Sequence, residues 1–361
     1  MIYIFNVIFS IIYTYFFRYI KKYNFLVFFP IFFLWFLIIG FQYNVGTDYF
    51  NYLDIFYDKK VLELYYRKKE YIFYYFIVLL KKFFLNGQSL FISVSFLENL
   101  LLYFFIKKLI KENIIEKKYV FIFIFIFLCY GTNFYNQMNV LRQYFNIYLL
   151  SFCIIYVYNG EIFKYIISFV IATNIHRSFI CLFPIFLIKY LVKKLNKKKF
   201  ILLLLLSIIF NFLPVLGYIK KILLFFPRYS HYIYSDYFLE IPLLNKMTKF
   251  IYIPFYFLSI NLLDSINSEK KQYILKVGIL AFIIRIFCLK VSVLNRIGEY
   301  FTLISIFPIY YLISEYYKRK KFYVIFILVL IIIMLFIFKV LIFPKGEYLY
   351  RSYFFITKKI R

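Results

Sequence analysis

Long apolar blocks alternate with short lysine-rich clusters along nearly the whole chain. The blocks lie at 2–18, 25–42, 89–107, 119–131, 141–158, 162–175, 177–192, 200–216, 248–264, 272–290, 296–315 and 321–343. Roughly 20 apolar residues cross a bilayer, with a range of about 17–25, so these blocks predict about 12 transmembrane helices. The fold class expected is all-α, a polytopic helical membrane protein. Membrane barrels read as alternating segments of about ten residues, and these blocks do not alternate. The block near 71–85 is expected to be a re-entrant or surface-lying helix rather than a span. The chain reads as one integral membrane domain over 1–361.

Lysine and arginine in short loops mark the cytoplasmic side. The clusters at 18–22, 107–118, 193–199 and 318–321 are therefore expected inside. Counting from 193–199 agrees with 107–118. Counting from 18–22 agrees only if 71–85 does not cross, and both termini then lie outside. The two long polar segments, 43–70 and 217–247, fall on the outer face; with 71–85 the first outer stretch runs over 43–88. The N-terminal block lacks a charged region and a small-residue cleavage site, so a retained helix is expected.

Composition agrees with a bilayer-embedded chain. Of 361 residues, 65% are hydrophobic and 26% aromatic, which excludes a soluble enzyme, a disordered chain and a disulfide scaffold. The net charge of +29 would suggest nucleic acid in a soluble protein. Here the lysines sit at block ends, as topology signals and anchors to anionic lipid, and nucleic acid is not an expected partner. The four cysteines, Cys129, Cys153, Cys181 and Cys288, are scattered through apolar blocks without a CxxC, so packing is their expected role. The Phe/Ile/Tyr/Lys/Asn bias suggests an AT-rich bacterial genome.

In such a chain the polar residues near or within the membrane are the functional candidates. Gly46 allows a sharp break, Thr47 or Asp48 can cap a short helix, and Tyr49, Tyr52 and Phe56 share one face of it. A carboxylate beside aromatic rings can bind sugar or act as a base; the plainer alternative is a helix cap with interfacial tyrosines. Asn139, Arg142 and Asn146 share a face, with Gln143 beside them, and Arg142 opens a helix entering from outside. A guanidinium at a helix N-terminus suits a phosphate. Asn174, His176, Arg177 and Ser178 mark a break between two blocks, and His176 can take a proton from a hydroxyl. Asn295, Arg296, Glu299 and Tyr300 enter the next-to-last block, where Arg296 either pairs with Glu299 or faces a pyrophosphate. Glu98, near mid-membrane, is expected to pair with a base such as Arg285. Few carboxylates are present, and no GxGxxG, P-loop, HExxH or GxSxG occurs, so neither a cofactor nor a metal is expected.

Val45-Gly46-Thr47-Asp48-Tyr49 with Tyr52, Glu70-Tyr71, Arg142-Gln143, His176 with Ser178, Arg296 with Tyr300 ahead of Pro308, and Leu349-Tyr350-Arg351 form an ordered set over most of the chain. This set resembles the EpsG/Wzy-type family of exopolysaccharide and O-antigen polymerases. Leu349 stands where the family has Pro in a late Pro-Tyr-Arg pattern, and the family's Pro-Gly near position 70 is missing. The resemblance implies glycosyl transfer at the outer face of the cytoplasmic membrane, joining repeat units of a surface polysaccharide or capsule. Donor and acceptor would be oligosaccharides on polyprenyl pyrophosphate, with membrane lipids and a chain-length regulator as further partners.

On that reading Arg142 and Arg296 bind the pyrophosphate, with Arg177 or Arg351 assisting. His176 or Asp48 takes the acceptor's proton. Tyr49 and Tyr52 stack on sugar, and Thr47, Gln143 and Tyr300 line the substrate. The alternatives are a flippase for the same lipid-linked unit and a ligase to another acceptor.

Overall fold

The computed structural model describes residues 1–20, 25–84, 86–131, 133–225, 231–235 and 238–355. Lys21 and Lys22 of the first basic cluster, and parts of the 217–247 segment, lie outside the described residues. Among those described, the secondary structure is helical, with isolated β-bridges and no strand. The helices gather into two compact units, residues 1–185 with 313–361, and residues 186–312.

The first unit contains α1 (Ile2–Phe17), α2 (Phe25–Gly40), α3 (Tyr49–Tyr57), α4 (Lys59–Arg67), α5 (Tyr71–Phe83), α6 (Gln88–Lys111), α7 (Val120–Cys129), α8 (Leu141–Asn159) and α9 (Ile162–Ile175). After α9 a 3-10 segment, Arg177–Leu187, leads out of it. The second holds α10 (Ile188–Lys193), α11 (Lys197–Phe210), α12 (Leu216–Leu224), α13 (Leu243–Phe250), α14 (Ile253–Asn261), α15 (Glu269–Cys288) and α16 (Ser292–Glu299). The chain then passes through α17 (Phe307–Lys318) to α18 (Phe322–Ile337), which is in the first unit.

Most apolar blocks thus become helices close to the expected positions, but many are shorter or bent. By length and composition, Gln88–Lys111 and Phe322–Ile342 could each cross a membrane. The pair Ser292–Glu299 and Ile304–Lys318, bent by 74°, would make a third. The block at 177–192 splits into the 3-10 segment and α10, with Pro184 inside the former. That at 248–264 breaks between α13 and α14, where Pro254 opens the second helix. Proline lacks the N–H that a helix interior needs.

Within the first unit, α2 packs on α6, α1 on α7, and α8 on both α6 and α9. Helices in lipid gain little from apolar burial against each other, so packing and polar links carry their association. Trp35 is buried on α2 and donates to Ser10 Oγ of α1 at 3.2 Å. Gln88, opening α6, donates to the Gly40 and Gln42 carbonyls at 2.7 and 3.1 Å. The unit has two distinct ends. At one, the lysine-rich loops meet: Lys318 reaches Glu116 at 2.6 Å, Tyr119 and Tyr317 rings lie 5.6 Å apart, and Tyr15 lies 5.3 Å from Phe121. At the other, the Gln42 and Ser352 segments form an antiparallel bridge and Tyr3 donates to the Glu347 carbonyl at 2.6 Å. In the second unit α15 is central, with α10, α11, α14 and α16 against it. A Cβ on Gly278 would fall 2.5 Å from Pro308, so only glycine permits that approach.

Candidate functional site

Three helix ends meet at one carboxylate in the first unit. Lys69 adopts a left-handed φ of +62° after α4, which reverses the chain and delivers Glu70 to the start of α5. Arg142 stands in the first turn of α8, and His176 ends α9. Glu70 is 2% exposed. Its Oε2 accepts from Arg142 Nη1 at 2.5 Å. Its Oε1 lies 3.0 Å from His176 Nδ1 and accepts from the Arg177 backbone N–H at 2.9 Å. A buried charge is tolerable when paired and hydrogen-bonded, and this one has partners on both oxygens.

Burial opposes ionisation of Glu70, yet the His176 hydrogen bond, the Arg142 charge and the Arg177 N–H outweigh it and hold the carboxyl at about 2. Glu70 is therefore an acceptor only, and His176 Nδ1 must carry the proton between them. When the ring is neutral, Nε2 is then its basic nitrogen. Arg142 also lies 4.6 Å from the Tyr65 ring centre and 5.1 Å from that of Phe73, in cation–π range. Burial raises the Tyr52 phenol to about 12; Arg142 pulls against this by its charge and a hydrogen bond, while Asp48 adds to it. Arg142 brings its charge to the carboxylate and Arg177 its backbone N–H; the side-chain Nε of each arginine is buried without a hydrogen-bond partner among the described residues.

Arg142 lines an apolar groove together with Phe73, Phe76, Val94, Leu97, Phe145 and Ile175. Phe76 and Leu97 also wall a second groove, with Phe36 and Phe96. Those two phenylalanines continue into a third that reaches Phe25. The ion-paired Arg142 thus lies on the wall of a set of adjoining apolar grooves that include side chains of α2 and α6.

The turn at residues 46–48 is held by Asn139, just before α8. Its Oδ1 accepts from the Thr47 and Asp48 backbone N–H groups at 2.8 and 3.1 Å and from Thr47 Oγ1 at 3.3 Å. Gly46 has φ +76°, and a Cβ there would come 2.5 Å from Asn139 Oδ1. Asp48 occupies the N-cap position of α3 without a side-chain capping bond. Arg351 is exposed and comes to the same end through its carbonyl, which accepts from Tyr43 N–H at 2.9 Å.

Other expected residues are placed differently. Tyr49 and Tyr52 were expected to offer ring faces to sugar. Both are buried, 2% and 4% exposed; Tyr49 stacks on Phe91 at 4.7 Å and donates to Gln88. Their α3 positions face the core because the i, i+3, i+7 stripe is the helix's apolar side. Gln143 is half-buried beside Arg142. Arg296, exposed, and Tyr300, buried, belong to the second unit. Glu98 was expected to pair with Arg285; its carboxyl has no hydrogen-bond partner among the described residues, while Arg285 donates to Ser305 at 2.8 Å and faces Glu299 at 3.7 Å.

Glu70 and Asn139 are the residues that sequence reasoning left without a role in the site. Glu70 follows Arg67-Lys68-Lys69, where a carboxylate looks like a solvated counter-charge. The available signals were its place in the Glu70-Tyr71 motif and its position directly before an apolar block. Among the described residues no three His, Cys, Asp or Glu side chains gather as metal ligands.

A family model described as the EpsG family matches residues 25–355. No curated protein and no solved structure compared with the chain matches it.

Proposed function

The chain belongs to the EpsG family, and on that premise we propose that it is a membrane polysaccharide polymerase working on polyprenyl-pyrophosphate-linked repeat units. The observation that carries this reading is Arg142, which lines an apolar groove and is ion-paired to a buried glutamate that also holds His176. A lipid-linked pyrophosphate has the same two parts, an anionic head and an apolar tail.

In the proposed reaction an acceptor sugar hydroxyl attacks the anomeric carbon of the donor glycan. The new glycosidic bond forms as the anomeric carbon–oxygen bond to pyrophosphate breaks. The electron pair of that bond leaves with polyprenyl pyrophosphate, and the hydroxyl proton passes to His176. Glu70 fixes the imidazole's tautomer and stabilises the imidazolium that forms, in the manner of a carboxylate behind a general base. Arg142 and Arg177 offset the charge developing on the leaving group. Asp48 is the second candidate for the base, on the turn held by Asn139. The reaction is assigned to the outer face, opposite the end where the lysine-rich loops meet, by the rule that such loops stay inside.

The test is deletion of the gene followed by sizing of the surface glycan and location of its lipid-linked precursor. Single repeats at the surface, with long chains restored by the wild-type gene but not by Arg142→Ala, support the polymerase. Precursor held on the cytoplasmic leaflet would identify a flippase and end this reading.

A further inference from the structure

The second unit contains a cationic cluster that the proposed reaction does not use. Lys246, on α13, and Lys290, just after α15, are 4% and 3% exposed. Both ammonium groups donate to one atom, Glu240 Oε1, at 2.8 and 2.7 Å. Both also donate to one carbonyl, that of Asn211 at the end of α11, at 3.3 and 3.2 Å. Two buried cations therefore bracket the same two oxygens.

One lysine would neutralise Glu240. The second leaves the trio with a net positive charge, offset in part by the carbonyl end of α11. Excess buried charge of one sign is costly as mere scaffolding. One helical turn along α13, Lys249 lies 3.7 Å from Glu299, which also faces Arg285 at 3.7 Å. There too two cations meet one carboxylate. Asn211 is 2% exposed, and its Oδ1 has no hydrogen-bond partner among the described residues.

Glu240 differs from the lysines in being reachable. Its side chain is 40% exposed and comes from the polar segment before α13, fastened by an antiparallel bridge to Val291 and by Ser292 N–H to the Leu239 carbonyl at 3.2 Å. A rigid buried pair of donors is thus covered by one accessible carboxylate.

We propose that Lys246 and Lys290 form a binding pocket for an oxyanion, a phosphate group or a sugar carboxylate, and that Glu240 holds the ligand's place when none is bound. Binding exchanges one carboxylate for another anion on the same two ammonium groups, and a ligand hydroxyl can donate to Asn211 Oδ1. The inference stands apart from the polymerase reading, because it rests on the second unit alone and its test measures binding, not transfer.

The test uses the purified full-length chain in detergent, titrated with inorganic pyrophosphate and, separately, with glucuronate, by calorimetry and thermal shift. Glu240→Gln removes the competing anion and keeps the shape; it should tighten binding of the preferred anion about tenfold. Lys246→Met with Lys290→Met should weaken it by about tenfold or more, while Lys59→Met, at an exposed site, leaves it unchanged. Stronger binding of pyrophosphate identifies a phosphate ligand; stronger binding of glucuronate identifies an acidic sugar. Where Glu240→Gln is destabilised, the bound anion should restore its melting temperature. The inference is overturned if Glu240→Gln binds neither anion more tightly and is not rescued by either, or if the double lysine variant, once folded, binds like the wild type.

Discussion

Glu70 Oε2 and Arg142 Nη1 lie 2.5 Å apart across 72 residues of sequence. The pair joins the start of α5 to the start of α8, and through Glu70 Oε1 to the end of α9. Arg142 is thereby held in one orientation, against Tyr65 and Phe73, before any ligand arrives. Preorganised charge costs no reorientation when the leaving group develops its own.

Glu70→Gln should damage both fold and turnover. The amide keeps the shape but leaves Arg142 buried without its counter-charge. Removing one partner of a buried pair typically costs about 3–5 kcal/mol. The variant is expected to melt well below the wild type in detergent and to make short glycan or none. Glu70→Asp keeps the charge but retracts it, and should recover part of the melting temperature and less of the activity. A Glu70→Gln protein that melts like the wild type would remove the pair from the account.

Acid should dissect the same pair. Glu70 titrates at about 2, below its ordinary 4.5, so its ionisation stabilises the folded state. The contribution is complete above about pH 4.5 and is lost as pH falls through about 2. The difference corresponds to stability on the order of 3 kcal/mol. Between pH 5 and 2, wild-type stability should fall more steeply than that of Glu70→Gln, whose side chain does not titrate. Parallel curves from unfolding measurements across that range would contradict the assignment.

Arg142→Lys tests geometry at constant charge. Lysine is a compact point charge and reproduces neither the planar fork nor its stacking over Tyr65 and Phe73. Expression should remain near normal, because a cation still faces Glu70. Polymer length should fall sharply on a sizing gel. Full-length polymer from a normally expressed Arg142→Lys protein would take Arg142 out of leaving-group binding.

The all-helical class, and most helix positions, were legible in the sequence because apolar blocks and lysine clusters are local signals. Ile162–Ile175 falls on its block end for end, and α8 starts at Leu141 as expected. Breaks within blocks were less legible, since Pro184 and Pro254 sit in runs as apolar as their neighbours. Of the site, Arg142 and His176 were visible as polar residues in apolar surroundings. Glu70 entered only through the Glu70-Tyr71 resemblance and without a role, because its burial depends on partners 72 and 106 residues away. Tyr49 and Tyr52 were misread for the same reason: periodicity says that they share a face, not whether that face meets ligand or core.

His176→Gln should reduce turnover by about 10²–10⁴-fold, the usual range for losing a general base. Glutamine can still donate to Glu70, so the melting temperature should move little. The measurement is elongation rate at matched protein level. If His176→Gln elongates normally while Asp48→Asn does not, the base is Asp48 and His176 only orients Glu70.

Gly46→Ala tests the turn at a distance from the ion pair. The φ of +76° is strained for alanine, and its Cβ would press to 2.5 Å of Asn139 Oδ1, the atom that binds Thr47 and Asp48. Strain of this kind costs on the order of 1–3 kcal/mol, concentrated in the turn rather than in the helix core. The variant should therefore insert and express while losing polymer length, because Asp48 and Thr47 shift together. Asn139→Ala should give the same phenotype without backbone strain, since it removes the shared acceptor. Combining the two should add little, as both act on one contact. Additive losses in the double variant would show that Gly46 and Asn139 serve separate purposes.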